Sequence, residues 1–402
     1  MWTYHDIGEF TPDEMDTWVD LGMNVPMLPK TYIGRDDPSV LLPWLDKAQS
    51  LGIEVIVNYE NMSYRDVIEL GAEGYEARIR PLYEAIGNHP AVHGFCIGDE
   101  PGTRENLEAS LECIRINKKV APHLTPYLNY RGDTENMSAE TLAGHDFNGW
   151  MKKVRDVTGT TEICYDDYTQ QINDGDGKTM YLSSLKKWAD AGKAADDSDV
   201  WGCLLSSGHH VYRPPTEVDY RWQINTAAAL GLRGVLWFRL YDRANVITYY
   251  GSPIDEFGDK SEAYYALKRC QRRFSTHYGE IFMKLRRKST YLVKSDRGVF
   301  PTFTEGCHDA IKKIRANDET LVSFFEDGEG REYLAVVDLE TRFYGDVFIH
   351  IDKSRTTLVE LNMNGAVETR PDGDQADCEV ADDHVEFTPI PAALHLFRID
   401  RK

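Results

Sequence analysis

At 402 residues the chain is long for one ordinary domain of about 100–200 residues and suits a barrel of about 250 residues followed by a smaller domain. Hydrophobic residues at 42% and aromatic residues at 11% are ample for packed cores, which excludes a disordered chain. A formal net charge of −21 excludes nucleic acid as an expected partner, since phosphates need a positive surface.

The opening "MWTYHDIGEF" lacks a basic segment followed by an apolar one, and no later stretch approaches about 20 apolar residues. No membrane association is expected, and the composition reads as cytoplasmic. From Trp2 to about Leu285, short apolar runs alternate with longer amphipathic ones, the pattern of a parallel sheet built from strand-helix units. In chain order the strand candidates are "MWTYHD", "NVPMLP", "IEVIVNYE", "VHGFCIGDE", "TPYLNY", "EICYDDY", "VWGCLLSSG" and "RGVLWFRLYD". Between them lie helical stretches such as "SVLLPWLDKAQSLG", "GYEARIRPLYEAIG", "RENLEASLECIRINKKV", "LSSLKKWADAGKA" and "VDYRWQINTAAALG", several ending at Gly. Eight strands with eight helices predict a closed (β/α)₈ TIM barrel over residues 1–288, with its site at the C-terminal strand ends. After "IFMKLRRKST" the texture becomes alternating and β-branched, in "EYLAVVDL", "YGDVFIHI", "TTLVELNM" and "ALHLFRID". This predicts a small antiparallel β-sandwich domain over residues 289–402.

Glu60, Asp99, Glu100, Asp166, Asp167 and Asp242 all fall at C-terminal ends of the proposed strands, with Tyr168, His209 and Trp237. Two adjacent carboxylates ending an apolar strand should repel each other and raise at least one pKa, which suits Glu100 as a general acid. The plainer alternative is that Asp99-Glu100-Pro101 only caps the next helix. In "ICYDDYT" regular alternation puts Cys164, Asp166 and Tyr168 on one face, pairing a carboxylate with a hydroxyl able to bond it. Asp166 is therefore the first choice for base or nucleophile, or else it orients Glu100 or holds sugar hydroxyls. Trp237 offers a flat face for a sugar ring with Asp242 beyond it, and His209 a contact for sugar hydroxyls. The seven cysteines are scattered and odd in number, with no Cys-x-x-Cys pair. No Gly-rich phosphate loop, His-Glu-x-x-His pair or Gly-x-Ser-x-Gly elbow is present. No metal or other cofactor is expected, and a homo-oligomer is compatible with the composition.

"NHPAVHGFCIGDEPG", "YDDYT" and "RWQINTAAALGLRGVLWFRLYD" together resemble the (β/α)₈ glycoside hydrolases of the retaining clan A, in the branch with Asp-Glu-Pro where many members have Asn-Glu-Pro. The resemblance covers about residues 1–285, and the terminal sandwich looks like the accessory β-domain such enzymes carry. It implies that Glu100 matches the acid/base of the fourth strand, Asp99 the preceding sugar-contacting Asn, and Trp237 the aromatic platform of the eighth. The chain departs from the family at the seventh strand, where "VWGCLLSSGHH" has no carboxylate to match the nucleophile. The second carboxylate then comes from elsewhere, Asp166 first and Glu60 or Asp242 behind it. Strands four and six stand about 10 Å apart at their Cα atoms, and the shorter Asp leans the pair toward the wider separation of inversion. The expected activity is a glycosidase acting from the end of a small oligosaccharide or glycoside. The rivals are a catalytically silent carbohydrate-binding barrel and a sugar isomerase or lyase.

Overall fold

A computed structural model describes residues 2–132, 142, 144–172, 176–242, 248–295, 297–362, 379–380 and 384–402. Barrel strands three to eight are Val55–Val57, continuing as Tyr59–Glu60, then Val92–Asp99, Thr125–Arg131, Glu162–Asp166, Asp199–Leu205 and Gly234–Phe238. They pair in that order, all parallel. Two extended segments close the ring. Residues 26–31 lie along the third strand through Leu28 N–H to Ile56 O (2.9 Å) and Ile56 N–H to Pro26 O (2.9 Å). Residues 2–6 lie along them through Lys30 N–H to His5 O (2.7 Å), and Trp2 N–H reaches Trp237 O on the eighth strand (3.0 Å). The expected closed barrel is therefore present.

Each strand is followed in the chain by a helix: Glu14–Asp20, Leu42–Ser50, Tyr64–Ile86, Arg104–Val120, Phe147–Thr158, Gly177–Ala194, Glu217–Ala229 and Glu262–Phe274. Local chemistry sets their starts, as at Ser63, whose hydroxyl accepts from Arg65 N–H while Asp66 bonds back to Ser63 N–H. The barrel interior is a layer of Trp2, Met27, Ile56, Cys96, Tyr127, Cys164, Cys203 and Leu236. Its inward positions are every second residue of each strand, as the pleat requires. None of the six cysteines among the described residues forms a disulfide. Among the described residues no helix is long and apolar enough to cross a membrane.

The chain divides into two compact units, Met1–Pro214 with Gly234–Tyr265, and Pro215–Arg233 with Ala266–Lys402. In the second unit a five-stranded antiparallel sheet runs in the order Arg286–Val293, Thr320–Glu326, Glu332–Asp338, Leu394–Arg401, Thr356–Leu361. A second antiparallel sheet orders Ile311–Ala316, Val347–Ile351, His384–Phe387, Glu379–Val380. Val322, Leu334, Ile349, Val385 and Phe397 pack between them, the expected sandwich. This unit also takes in the helix Glu217–Ala229, which is buried on nearly every side. Arg221 Nη1 and Asn225 Nδ2 donate to Pro391 O (2.8 Å) and Ala392 O (2.7 Å), tying that helix to the last connection of the sandwich.

Candidate active site

The upper rim is built by a break in alternation. On strand four Cys96 faces the barrel interior, and the pairing with strand five then slips by one residue between Cys96 and Gly98. The slip brings Asp99 to the inward side, where Asn129 Nδ2 donates to its Oδ1 at 3.0 Å. Only glycine fits at 98: φ is +144°, and a Cβ there would stand 2.5 Å from the Tyr64 ring, whose hydroxyl donates to Asp99 O (2.9 Å). Glu100 follows at φ +46°, in the left-handed region, with its N–H on Asn129 O (2.8 Å) and its side chain exposed.

Asn129 also donates from its side chain to Asp166, so one amide links the carboxyls of strands four and six. Burial first, then the Glu100 and Asp99 charges and the neighbouring Asp167, push the pKa of the Asp166 carboxyl well above the ordinary range. Burial, with Glu100 adding to it, pushes Asp99 up to about 6 against the Asn129 bond and the Arg65 and Lys30 charges. Asp167 instead accepts from Thr169 N–H (2.9 Å) and Thr169 Oγ1 (2.7 Å), holding the turn that follows.

The remaining expected residues fall into different places. The Tyr168 hydroxyl lies against Cys203 Sγ (3.5 Å), not Asp166, because its ring is drawn inward to stack on Phe238 (5.6 Å between centroids). The Trp237 side chain is only 1% exposed. Its neighbours Leu236 and Phe238 take the inward positions of strand eight, so the pleat turns the indole away from the mouth and it offers no face to a sugar. Glu60 forms an ion pair with Lys30. Asp242 accepts from Ser252 Oγ (2.5 Å) and Ser252 N–H (3.3 Å), which makes it a clasp between two loops. His209 is buried and stacks on Tyr249 (5.3 Å), and burial pushes its pKa down to about 4, leaving a neutral ring at pH 7.

Several rim groups escaped the sequence reading. Tyr4 stacks on Trp2 (5.7 Å) and meets Phe238 edge-on (5.7 Å), and after burial the Asp99 charge is the main influence raising its pKa. Alternation in "MWTYHD" puts Trp2 and Tyr4 on one face and was the available signal. The Lys30 ammonium lies 5.2 Å over the Tyr4 ring, and the buried Arg239 guanidinium 4.6 Å over Tyr249. At the end of strand seven stand Ser206, whose Oγ donates to Arg239 O (2.9 Å), and Ser207, whose Oγ accepts from Ser252 Oγ (2.9 Å). No carboxylate stands among them, as the sequence shows.

The mouth thus brings together two aspartic carboxyls with raised pKa values, an exposed glutamate on a strained backbone, and aromatic side chains. Such a set can donate a proton, stabilise developing positive charge and stack against a ring.

No family model and no curated protein matches the sequence. Among solved structures the chain is similar to a glycoside hydrolase at 12% identity, over 97% of this chain and 89% of that one, with a TM-score of 0.57. It is similar to the cold-adapted β-galactosidase from Rahnella sp. R3 at 9% identity, over 97% and 95%, with a TM-score of 0.56. A third is the β-galactosidase of the haloarchaeon Halorubrum lacusprofundi, at 12% identity over 68% of this chain with a TM-score of 0.52. The chain spans 57% of the length of that protein and 57% of the β-galactosidase from Marinomonas ef1. It shares with the first two the fold of the barrel glycoside hydrolases with a C-terminal antiparallel β-domain.

Proposed function

We propose that this chain is a glycoside hydrolase that cleaves a small oligosaccharide or glycoside at the barrel mouth. The observation that carries this reading is the Asn129 amide that joins Asp99 to Asp166 beside Glu100, with both aspartate pKa values raised. The roles read from the sequence exchange. Asp166 donates its proton to the glycosidic oxygen as the C–O bond breaks, because a general acid must hold a proton at the working pH. Glu100 is the second carboxylate: it takes a proton from an attacking water, or attacks the anomeric carbon itself. Asp99 holds the Asn129 amide and faces the sugar hydroxyls.

Two of the fold relatives are β-galactosidases, so aryl β-galactosides head the panel of substrates to assay. Asp166→Asn should lose most on alkyl glycosides and least on 4-nitrophenyl glycosides, whose leaving group needs no proton; Glu100→Gln should lose on both. Equal loss on both substrates in Asp166→Asn removes Asp166 as the acid.

A carbohydrate-binding barrel without turnover is favoured by one observation, the pair of buried serines in place of a carboxylate after strand seven. Saturable binding of a glycoside with no product released would establish it.

A further inference from the structure

The second unit contains a cavity of about 490 Å³, enough for a molecule of monosaccharide or disaccharide size. Its lining comes entirely from residues 217–278 and 360–395, whereas the mouth carboxylates belong to the first unit. Three guanidiniums line it, Arg221, Arg269 and Arg273, against two carboxylates, Glu217 and Glu360. The Glu217 carboxylate is shared: Arg269 Nη2 donates to Oε2 at 2.5 Å, and Arg221 Nη2 lies 3.7 Å from Oε1. Glu360, 9% exposed, is bonded by His395 Nδ1 at 2.7 Å. Arg273 has no carboxylate partner among the described residues, and its side chain is exposed at the cavity. A site with excess positive charge stands out in a chain of net charge −21.

We propose that this cavity binds a small oxyanion of sugar size, a sugar phosphate or a sugar acid. Guanidinium forks match the paired oxygens of phosphate and carboxylate, and they hold their charge at any physiological pH. Arg221 and Arg269 are already oriented by Glu217, which preorganises two of the three forks, and Arg273 meets the anion as it enters. Asn225 and Thr388 also line the space and suit the hydroxyls of such a ligand. This reading does not depend on hydrolysis at the mouth.

The test is calorimetric titration of the full chain at 150 mM NaCl with glucose 6-phosphate, glucuronate, inorganic phosphate and methyl glucoside. Saturable binding of glucose 6-phosphate or glucuronate, with methyl glucoside silent, is the expected result, and the tighter of the two names the anion class. Arg273→Ala should weaken that binding about 10-fold and Arg273→Glu should abolish it, each losing one charge-assisted contact at an exposed position where folding is not at risk. Binding of inorganic phosphate as tight as that of the sugar anions would overturn the sugar-sized ligand. Absence of binding by either sugar anion, or binding unchanged in both Arg273 variants, would overturn the site.

Discussion

The two ends of the barrel treat carboxylates in opposite ways. At the N-terminal end, His93 places Nδ1 2.8 Å from Glu54 and Nε2 3.0 Å from Glu162, and stacks on Trp201 (5.5 Å). Thr125 Oγ1 donates to the other Glu162 oxygen at 3.2 Å. There the two carboxylates share one imidazole. At the C-terminal end Asp99, Glu100 and Asp166 face one another with a single amide between two of them. The lower end stores stability, and the upper end keeps charge uncompensated at a cost to stability, which is how a barrel separates folding from chemistry.

That contrast breaks most visibly through Asp166→Asn. Turnover of an unactivated glycoside should fall by about 10²–10⁴-fold with thermal unfolding essentially unchanged, measured by initial rates and calorimetry. A loss of stability without loss of rate would move Asp166 to the lower end's category.

Glu162→Gln should do the reverse. Removing one carboxylate from the His93 bridge should cost about 1–2 kcal/mol in urea unfolding at pH 6, with rates at the mouth unchanged. The pH dependence sharpens this. Burial pulls the His93 pKa down, but the Glu162 and Glu54 bonds and charges outweigh it and leave it raised. A raised folded pKa means the contribution is complete below the unfolded value of about 6.5 and is lost as pH rises through the folded value. Stability of the native protein should therefore fall above pH 6.5, and Glu162→Gln should flatten that slope.

The third effect belongs to Asp99. Its folded pKa of about 6 lies above the ordinary 3.8, so the native state binds its proton more tightly than the unfolded chain does. Its contribution is present below about 3.8 and lost as pH rises through about 6, the window beneath that of His93. Asp99→Asn should raise the unfolding free energy at pH 7.5 and remove the slope between pH 4 and 6. A variant less stable at pH 7.5 would show that the Asn129 bond outweighs the burial.

The sequence carried the architecture because strands and helices announce themselves through local periodicity. Eight apolar runs, their intervening amphipathic stretches and the alternating tail are all visible without tertiary contacts, and so is the gathering of Asp99, Glu100 and Asp166 at strand ends. What the folded chain decided is which side each residue faces and what it meets. A one-residue slip at Gly98 cannot be read from hydrophobic pattern, yet it turns Asp99 inward and leaves Glu100 exposed on a left-handed backbone. Strand parity, counted in the actual register, hides Trp237 and brings Tyr4 to the rim from the far end of the chain, 95 residues before Asp99. The assignment of helix Glu217–Ala229 to the second unit is likewise decided by hydrogen bonds to Pro391 and Ala392, more than 160 residues away. Local periodicity is set by neighbours in sequence, whereas pKa, facing and partnership are set by neighbours in space, and only closure of the ring brings those together.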